Sequence, residues 1–454
     1  MQGGFSEFDI TPRTGVQLFG FGPYLNRVSA DVRDPLGTRA AVLRSDKGSL
    51  YVIIGCDLGA LQTALVQKVR EIVCAAIPEL TPERIMVCCS HTHSAPAIDS
   101  ADRGWGHPDQ TYMEILPWKI AQAAIDAFGK MEEVTCSAAV VPCRHIGVNR
   151  LYDNGNNTPL EEVLKDDWEP AHPEFTDTEA KIMRFDGADG SLKGFFAYFG
   201  CHPVVCCKQN NSIHGDYPGV AIHKLMKENP GSVGLFLLGG HADVNSGCVH
   251  REREESLAAL DVLAERFAKA IRNGLEKAER IPEDMAVITH TIECSTRVNW
   301  DMAYLKEKKA EFEALLHRPE ASDAGLEERR AAFKLQGVNK LIRDMESGAK
   351  TTITAEIYGL RIGDAEILGA PFEIMQAIKN ETFSKAAAPF PMVVSMCNGS
   401  LGYAPDRTQL ARTESYEATT GPFILGQWAL AAIHDELVSA FLEIDGELFS
   451  HQRQ

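Results

Sequence analysis

Residues 85–94 read Ile85-Met86-Val87-Cys88-Cys89-Ser90-His91-Thr92-His93-Ser94, an apolar run followed at once by two histidines. The run from Ile85 to Cys89 has the length and apolar character of a buried β-strand. His91 and His93 are two residues apart, so in an extended chain their side chains point to the same side. Imidazole is the commonest metal ligand in proteins. The pattern indicates a metal or acid–base site at the end of a strand, or else a pair of histidines used for packing and hydrogen bonding.

Two more predicted strands also end in a histidine. The run from Gly194 to Phe199 leads into His202, and the run from Val233 to Leu238 leads into His241 and Asp243. In open α/β sheets, ligand-binding and catalytic groups collect at the carboxyl ends of the strands. Three such turns therefore predict a shared metal or acid–base site at one edge of a sheet.

The chain as a whole alternates apolar strands with amphipathic helices. Further strands are predicted at 40–43 and 51–56, and helices at 61–77, 112–128 and 256–278. This alternation predicts an α/β fold in which a mixed β-sheet core is flanked by helices and the metal site lies at strand carboxyl ends. No repeat or Pro/Ser-rich linker divides the sequence, so we expect residues 1–454 to form a single catalytic domain.

The second half of the chain changes character twice. Residues 289–298 and 351–362 alternate apolar and polar positions, which predicts strands that are more exposed. Between them, residues 300–348 (Trp300 to Gly348) are rich in Lys, Glu, Ala and Leu. We expect this segment to be a helical hairpin with solvated faces, broken near residues 317–325.

The charge balance excludes several classes of partner. The 454 residues carry 45 Lys and Arg against 63 Asp and Glu, which gives a formal charge of −18. Nucleic-acid binding and docking on anionic lipid both need clustered basic residues, so neither is expected. The expected partner is a small molecule.

The sequence also predicts a compartment. No stretch approaches about 18 uninterrupted apolar residues, so we expect no stable membrane insertion, and the start, Met1 to Asp9, lacks the basic and apolar regions of a secretory signal. Several of the 12 cysteines lie in apolar runs, where cysteine behaves as a small buried hydrophobe. These features predict a reduced, cytoplasmic protein.

Three later residues complete the set of candidates. Glu373 follows the run Leu368 to Phe372, where a carboxylate can either cap a helix or complete a His/His/carboxylate zinc set with an open position for water. Tyr403 and Tyr416 lie in loop-like segments, in which tyrosine serves either packing or function.

Taken in order, these segments resemble the neutral/alkaline (non-lysosomal) ceramidase family, specifically its N-terminal catalytic domain. The pieces that carry the resemblance run from near the first residue to about residue 420: Asp9-Ile10-Thr11-Pro12, Cys56-Asp57-Leu58, His91-Thr92-His93-Ser94, Asn149-Arg150, Gly200-Cys201-His202-Pro203, Gly215-Asp216, Pro371-Phe372-Glu373, Gly402-Tyr403 and Tyr416-Glu417. The chain ends at residue 454, which predicts a short form without the C-terminal β-sandwich domain of the long ceramidases.

The resemblance implies a chemistry and a set of residues. Members of that family are zinc-dependent amidases that hydrolyse the N-acyl bond of ceramide. It implies one zinc ion held by four residues, and three more around the scissile carbonyl. The implied zinc ligands are His91, His202, Glu373 and Tyr403, and the implied carbonyl neighbours are His93, Arg150 and Tyr416.

The chain differs from the family pattern near residue 245. The family has a Gly-Asp-Val-Ser-Pro-Asn run there, whereas this chain has Asn245 at the position of the serine. A serine nucleophile is therefore disfavoured, and metal-bound water is the expected nucleophile. His241 and Asp243, in the same segment, are additional candidates for catalysis.

Three hypotheses of function follow. The first is a zinc-dependent hydrolase that cleaves an amide, or else an ester or lactone, in a small soluble substrate other than ceramide. The second is a metal-dependent lyase or isomerase of a small, polar, hydroxylated substrate, which would use the acid–base groups of His214, Asp216, His241 and Asp243. The third is a non-catalytic protein that binds a metal or a small ligand.

Overall fold

The structure, a computed structural model, describes residues 1–98, 107–153, 158–206, 208–412 and 414–450. In these residues the chain stacks four layers: helices, a large sheet, a smaller sheet, and helices again. None of the described helices has the length and apolar character needed to cross a membrane.

The described strands are numbered in chain order and fall into two sheets and three short pairs. The large sheet contains β1 (Gln2–Asp9), β3 (Gly37–Arg44), β4 (Leu50–Cys56), β5 (Ile85–Cys89), β6 (Glu132–Pro142), β8 (Glu179–Gly187), β9 (Leu192–Phe199), β11 (Val233–Leu238) and β13 (Glu279–Arg280). The smaller sheet contains β14 (Met285–Cys294), β15 (Ile353–Ile362), β16 (Ala365–Gly369) and β18 (Phe390–Val394). The short pairs are β2 (Asp31–Val32) with β10 (Ser212–Ile213), β7 (Gly147–Asn149) with β12 (Val244–Ser246), and β17 (Glu373–Ile374) with β19 (Tyr403–Ala404).

The helices are also numbered in chain order. They are α1 (Thr63–Ala76), α2 (Gln110–Phe128), α3 (Leu160–Val163), α4 (Asp216–Glu228), α5 (Arg253–Lys277), α6 (Met302–Leu316), α7 (Leu326–Glu346), α8 (Gln376–Lys385), α9 (Arg407–Leu410), α10 (Gly421–Leu425) and α11 (Ile433–Phe449).

The large sheet is mixed, as the sequence predicts. Its strand order is β11-β9-β8-β6-β1-β3-β4-β5, with β13 added beside β6. The outer pairs β9–β11 and β4–β5 are parallel, and the pairs between them are antiparallel. The carboxyl ends of β9 and β11 are therefore adjacent at one edge, and the segments that follow them carry His202 and His241.

Alternation along each strand divides the interior into separate cores. In β3, Ala40 and Val42 pack towards α1, α2, α4 and α5, whereas Ala41 and Leu43 pack towards the smaller sheet. A third core lies between the smaller sheet and the helices α8 and α11. The α/β class with a helix-flanked mixed sheet is thus confirmed, and the structure adds a second sheet stacked on the first.

The stacked sheet corrects one expectation. The sequence predicted exposed strands at 289–298 and 351–362; the strands are Met285–Cys294 and Ile353–Ile362, and the second is largely buried. Its residues enter two cores, because one face meets the large sheet and the other meets α8 and α11.

The predicted helical hairpin is formed by α6 and α7. Trp300 and Phe312 pack with Val338 and Phe423 in a small apolar cluster of their own. The hairpin also contacts the first part of the chain, because Arg329 Nε donates a hydrogen bond of 2.5 Å to the carbonyl oxygen of Tyr24.

Candidate metal centre and active site

Four buried side chains meet where β5, β9 and β11 end. They are His91, His202, His241 and Glu373, and one potential ligand atom from each lies within 4.8 Å of those of the others. The three histidines follow the three strands that the sequence singles out, and Glu373 begins β17. The structure thus brings together groups from four segments that are remote from one another in the sequence.

The distances and the donor set fit a metal ion. Ligands about 2.0–2.1 Å from a tetrahedral zinc ion lie about 3.4 Å from one another. Glu373 Oε2 is 3.5 Å from His91 Nε2 and 3.8 Å from His241 Nε2. Both Glu373 Oε2 and His241 Nε2 are buried and have no hydrogen-bond partner among the described residues. Such orphaned atoms are costly unless another group, such as a cation, satisfies them.

Two of the imidazoles are held in the orientation that metal ligands need. His91 Nδ1 donates to the carbonyl oxygen of Gly59, and His241 Nδ1 donates to that of Gly239 at 3.2 Å. Fixing the proton on Nδ1 leaves the Nε2 lone pair free, which is how supporting groups around a metal prepare a histidine ligand.

Burial favours the neutral form of these rings. It lowers the pKa of the His202 and His241 imidazoles well below the usual range, and the neighbouring His91 adds to the effect. A neutral imidazole is the form that binds a metal, because the ligand nitrogen must carry no proton.

The backbone at His91 differs from the extended chain that the sequence suggested. Its φ is +64°, in the left-handed region that non-glycine residues seldom adopt. The rings of His91 and His93 are nevertheless in contact, with centroids 5.0 Å apart. A strained turn after β5, rather than strand alternation, brings the two side chains to one site.

His93 lies at the edge of the group of four. Its Nε2 is 3.3 Å from His91 Nε2 and 3.2 Å from His202 Nε2. Its Nδ1 is buried without a partner among the described residues. Burial, followed by the neighbouring His91, lowers its pKa well below the usual range, which favours the neutral ring.

Tyr403 and Tyr416 flank Arg150 beside this group. Tyr403 is the parallel partner of Glu373 in the β17–β19 pair. The Arg150 guanidinium carbon lies 5.8 Å from the ring centre of Tyr403 and 5.9 Å from that of Tyr416. Glu417 Oε1 accepts a hydrogen bond of 2.7 Å from Arg150 Nη2. Burial raises the pKa of Tyr403 well above its usual range, and Glu373 raises it further, so without a metal the phenol stays protonated.

Asp243 is engaged by the protein itself. Its Oδ2 accepts from Asn149 Nδ2 at 2.8 Å, and its Oδ1 accepts from the backbone N–H of Gln376 at 2.8 Å. The carboxylate therefore joins β7 to the start of α8. A helix-capping role was one alternative for Glu373. At the start of α8 it is the Asp243 carboxylate that accepts a hydrogen bond from the backbone N–H of Gln376.

A cavity of about 490 Å³ reaches this centre. His93, His202 and Tyr403 line it next to the metal group, together with Arg150 and Tyr416. Tyr24, Leu326 and Arg330 line it as well, so helix α7 of the hairpin forms part of its wall. Asn245 also lines the cavity, and the backbone of this residue pairs with His202 in an isolated bridge.

The sequence reasoning missed one segment of the site, Phe19-Gly20-Phe21-Gly22-Pro23-Tyr24. The ring centres of Phe19 and Phe21 lie 5.4 Å and 4.8 Å from that of His93, both nearly edge-on. Gly20 has φ +85°, and a Cβ there would lie 2.2 Å from His93 Nδ1. Glycines that alternate with aromatic residues are the signal that could have identified this loop.

His214 and Asp216 form a separate buried group with Cys206. The Asp216 backbone N–H donates to His214 Nδ1 at 3.1 Å, and the Asp216 carboxylate accepts from the backbone of Val205, Cys206 and Tyr217. These bonds shape the turn before α4, and neither residue lines the cavity described above.

Comparison with known proteins assigns the chain to a family. Residues 2–247, more than half of the chain, match the family model described as neutral/alkaline non-lysosomal ceramidase, N-terminal. The chain belongs to this family of ceramidase-like hydrolases, as the motifs in the sequence indicated.

Individual relatives agree with this assignment. The neutral ceramidase of Pseudomonas aeruginosa is 25% identical over 224 residues, which are 48% of this chain and 32% of that protein. The chain therefore aligns with about a third of that relative's length. The crystal structure of neutral ceramidase from Pseudomonas aeruginosa superposes with a TM-score of 0.72 at 16% identity, covering 98% of this chain and 75% of the other. A ceramidase complexed with C2 gives 0.73 at 16% identity, covering 100% and 75%. At this identity the superpositions establish the fold.

Proposed function

We propose that this protein is a zinc-dependent hydrolase that cleaves an amide, or else an ester or lactone, in a small soluble substrate. The observation that carries the proposal is the convergence of His91, His202, His241 and Glu373 beside an open cavity. Membership of a ceramidase family supports a hydrolytic reaction on an acyl group. Buried cysteines, such as Cys88 and Cys201, suit the reducing conditions of the cytoplasm, where we propose that the protein acts.

The donor set supports zinc over the alternatives. Three imidazoles and one carboxylate form a nitrogen-rich set, whereas magnesium and calcium prefer oxygen ligands. When bound, zinc lowers the pKa of a water ligand towards 7 and polarises a carbonyl group. The ligand set implied by the family resemblance shares His91, His202 and Glu373 with this group and has Tyr403 in place of His241.

The residues around the group of four suit the roles of an acyl-transfer site. His93 lines the cavity and its Nε2 lies beside the other imidazoles, so it can accept a proton and pass it to the leaving group. Arg150, held between two tyrosine rings and tied to Glu417, presents a positive charge on the cavity wall. Together with the Tyr416 hydroxyl it can stabilise the negative charge that develops on the carbonyl oxygen.

The first test combines metal analysis with hydrolysis. Elemental mass spectrometry of the wild type is expected to find about one zinc per chain, with loss of zinc in folded His91→Ala and His202→Ala. A panel of N-acyl amides, esters and lactones is then assayed with chelator and after zinc is restored. Hydrolysis should stop when the chelator removes zinc and resume when zinc is added back. Asn245→Ala should still turn over the substrate, whereas His91→Ala should not.

Two outcomes would count against the proposal. Activity that ignores both chelation and the loss of His91 would contradict it. A product of unchanged mass would indicate an isomerase instead, because hydrolysis always adds one water, giving two fragments from an amide or ester and one ring-opened hydroxy acid from a lactone.

A further inference from the structure

The cavity that reaches the metal group has an unusual charge. The chain as a whole carries a formal charge of −18, yet the described residues that line this cavity include Arg150, Lys208 and Arg330 and no carboxylate. A cleft lined by charges of one sign concentrates the field and draws in ligands of the opposite sign. The positive charge of this cavity is therefore a local property, opposite in sign to the net charge of the whole chain.

Two of these cations have no counterion among the residues that the structure describes. Arg150 is paired with Glu417. Among the described residues, no acidic side chain lies within 4.0 Å of Lys208 or Arg330. The guanidinium of Arg330 lies over the ring of Tyr24, with 5.4 Å between its carbon and the ring centre, which holds the group at the cavity wall.

The charge of Lys208 acts inside the cavity. Burial lowers the pKa of His250, another lining residue, and the positive charge of Lys208 lowers it further. Lys208 and His250 are therefore close enough to interact, and a protonated His250 is disfavoured unless an anion is present.

The neighbouring cavity provides a contrast. It has a volume of about 450 Å³ and shares Arg150, Asn245, Val249, His250 and Tyr416 with the first. Its own lining adds Arg412 but also the acids Asp153, Glu414 and Glu417. Among the described lining residues, the excess of cations is thus present in the cavity that contains His93 and His202 and absent from this neighbour.

We propose that the substrate carries an anionic group, a carboxylate, sulfonate or phosphate, which Lys208 and Arg330 bind while the scissile bond faces His93 and His202. This inference rests on the proposed function and specifies its substrate class. The apolar wall of Leu25, Val204 and Val249 offers contact for a short acyl chain.

Four probes that differ only in one terminal group test the proposal. N-hexanoylethanolamine is neutral, and its matched anions are N-hexanoylglycine, N-hexanoyltaurine and the phosphate monoester of N-hexanoylethanolamine. Hydrolysis of each adds one water and releases hexanoic acid and the amine. We expect kcat/KM for at least one anion to exceed that of the neutral probe by about tenfold or more, and to fall as salt is raised.

Charge-removing variants locate the preference. Lys208→Ala and Arg330→Ala are each expected to reduce the anionic-to-neutral ratio of kcat/KM by about fivefold or more, and Lys208→Arg should restore most of it. Lys47→Ala, which removes an exposed lysine elsewhere, should leave the ratio unchanged. A neutral probe that is hydrolysed as well as all three anions, or a preference that persists in the double variant, would overturn the inference.

Binding separates this inference from the proposed reaction. The same four compounds are titrated by calorimetry into the zinc-loaded wild type and into Lys208→Ala/Arg330→Ala. If an anion binds at least tenfold more tightly than the neutral probe, and only with both cations present, the inference holds even where no probe is hydrolysed and the proposed reaction fails. Equal binding of all four, or binding of none, overturns it.

Discussion

His241 Nε2 lies 3.8 Å from Glu373 Oε2, and neither buried atom has a hydrogen-bond partner in the part of the chain that the structure describes. His241 is absent from the ligand set that the family resemblance implies, which has Tyr403 in that place. The geometry therefore favours His241 over Tyr403 as the fourth ligand, and variants of this chain can test that ranking.

The first prediction concerns that choice. His241→Ala is expected to lower zinc affinity by about 100-fold or more, since even the loss of a supporting partner outside the ligand shell costs 10- to 100-fold. Tyr403→Phe is expected to change affinity by less than about tenfold, because three histidines and Glu373 already supply the four ligands of a tetrahedral zinc site. Competition with a chromogenic chelator measures both. His434→Asn removes another buried imidazole and is the control; the reverse ranking of His241 and Tyr403 variants would refute the assignment.

The second prediction concerns the loop that packs on His93. Gly20→Ala places a Cβ 2.2 Å from His93 Nδ1, so the ring must move. A displacement of about 1 Å at a catalytic group can cost about 100-fold in rate. We expect kcat/KM to fall by that order while the zinc content stays near one per chain. Gly48→Ala is a matched control, since Gly48 has nearly the same φ, +84°, but open space around it. Equal losses of kcat/KM in the two variants would show that backbone strain, and not displacement of His93, causes the effect.

The third prediction concerns Arg150. Its 2.7 Å contact with Glu417 fixes a guanidinium whose side chain is 24% exposed. In Glu417→Gln the ion pair is lost and Arg150 is less firmly held, so we expect kcat to fall by about tenfold with little change in KM. Steady-state kinetics measure the two separately. Glu414→Gln changes another carboxylate that lines the neighbouring cavity and should behave like the wild type. A rise in KM alone would show that Arg150 serves binding rather than the reaction.

Much of this site could be predicted from the sequence because its signals are local. An apolar run followed by a histidine identifies both the strand and its functional end, so the sequence alone identifies His91, His202 and His241 as candidates. The predicted strands Ile85–Cys89 and Val233–Leu238 have the observed bounds. Residues that are neighbours in the chain determine where such a strand begins and ends, so these bounds can be predicted from one sequence.

Features that depend on distant pairing could not be predicted in this way. Glu373 is placed beside Tyr403 by the two-residue pair β17–β19, which has no periodic signature. Asp243 is held by groups remote in sequence, because its two oxygens accept hydrogen bonds from Asn149 and from the backbone of Gln376. The stacking of the two sheets depends on both faces of β15 being apolar, and an alternating pattern did not reveal it.

A buried carboxyl group far from this site sets a pH dependence of stability. Glu366 on β16 is fully buried, and no donor among the described residues reaches either of its oxygens. Burial raises its pKa to about 9, and the nearby negative charge of Asp445 adds to the shift. The folded protein therefore holds this proton over a pH range in which the unfolded chain, whose glutamate carboxyl has its ordinary pKa of 4.5, releases it.

The last prediction follows from the sign of that shift. Between pH 4.5 and about 9 the folded state binds more protons at Glu366 than the unfolded state, so the free energy of unfolding falls as the pH rises. The limiting slope for one group is about 1.4 kcal/mol per pH unit. The substituted side chain of Glu366→Gln is neutral throughout and lacks this contribution. In urea unfolding at pH 5, 7 and 8.5, the free energy of unfolding of the variant should therefore rise relative to that of the wild type as the pH rises. Glu346→Gln, at the exposed end of α7, should run parallel to the wild type. If Glu366→Gln also runs parallel to the wild type, Glu366 is already ionised in the folded protein and the burial argument fails.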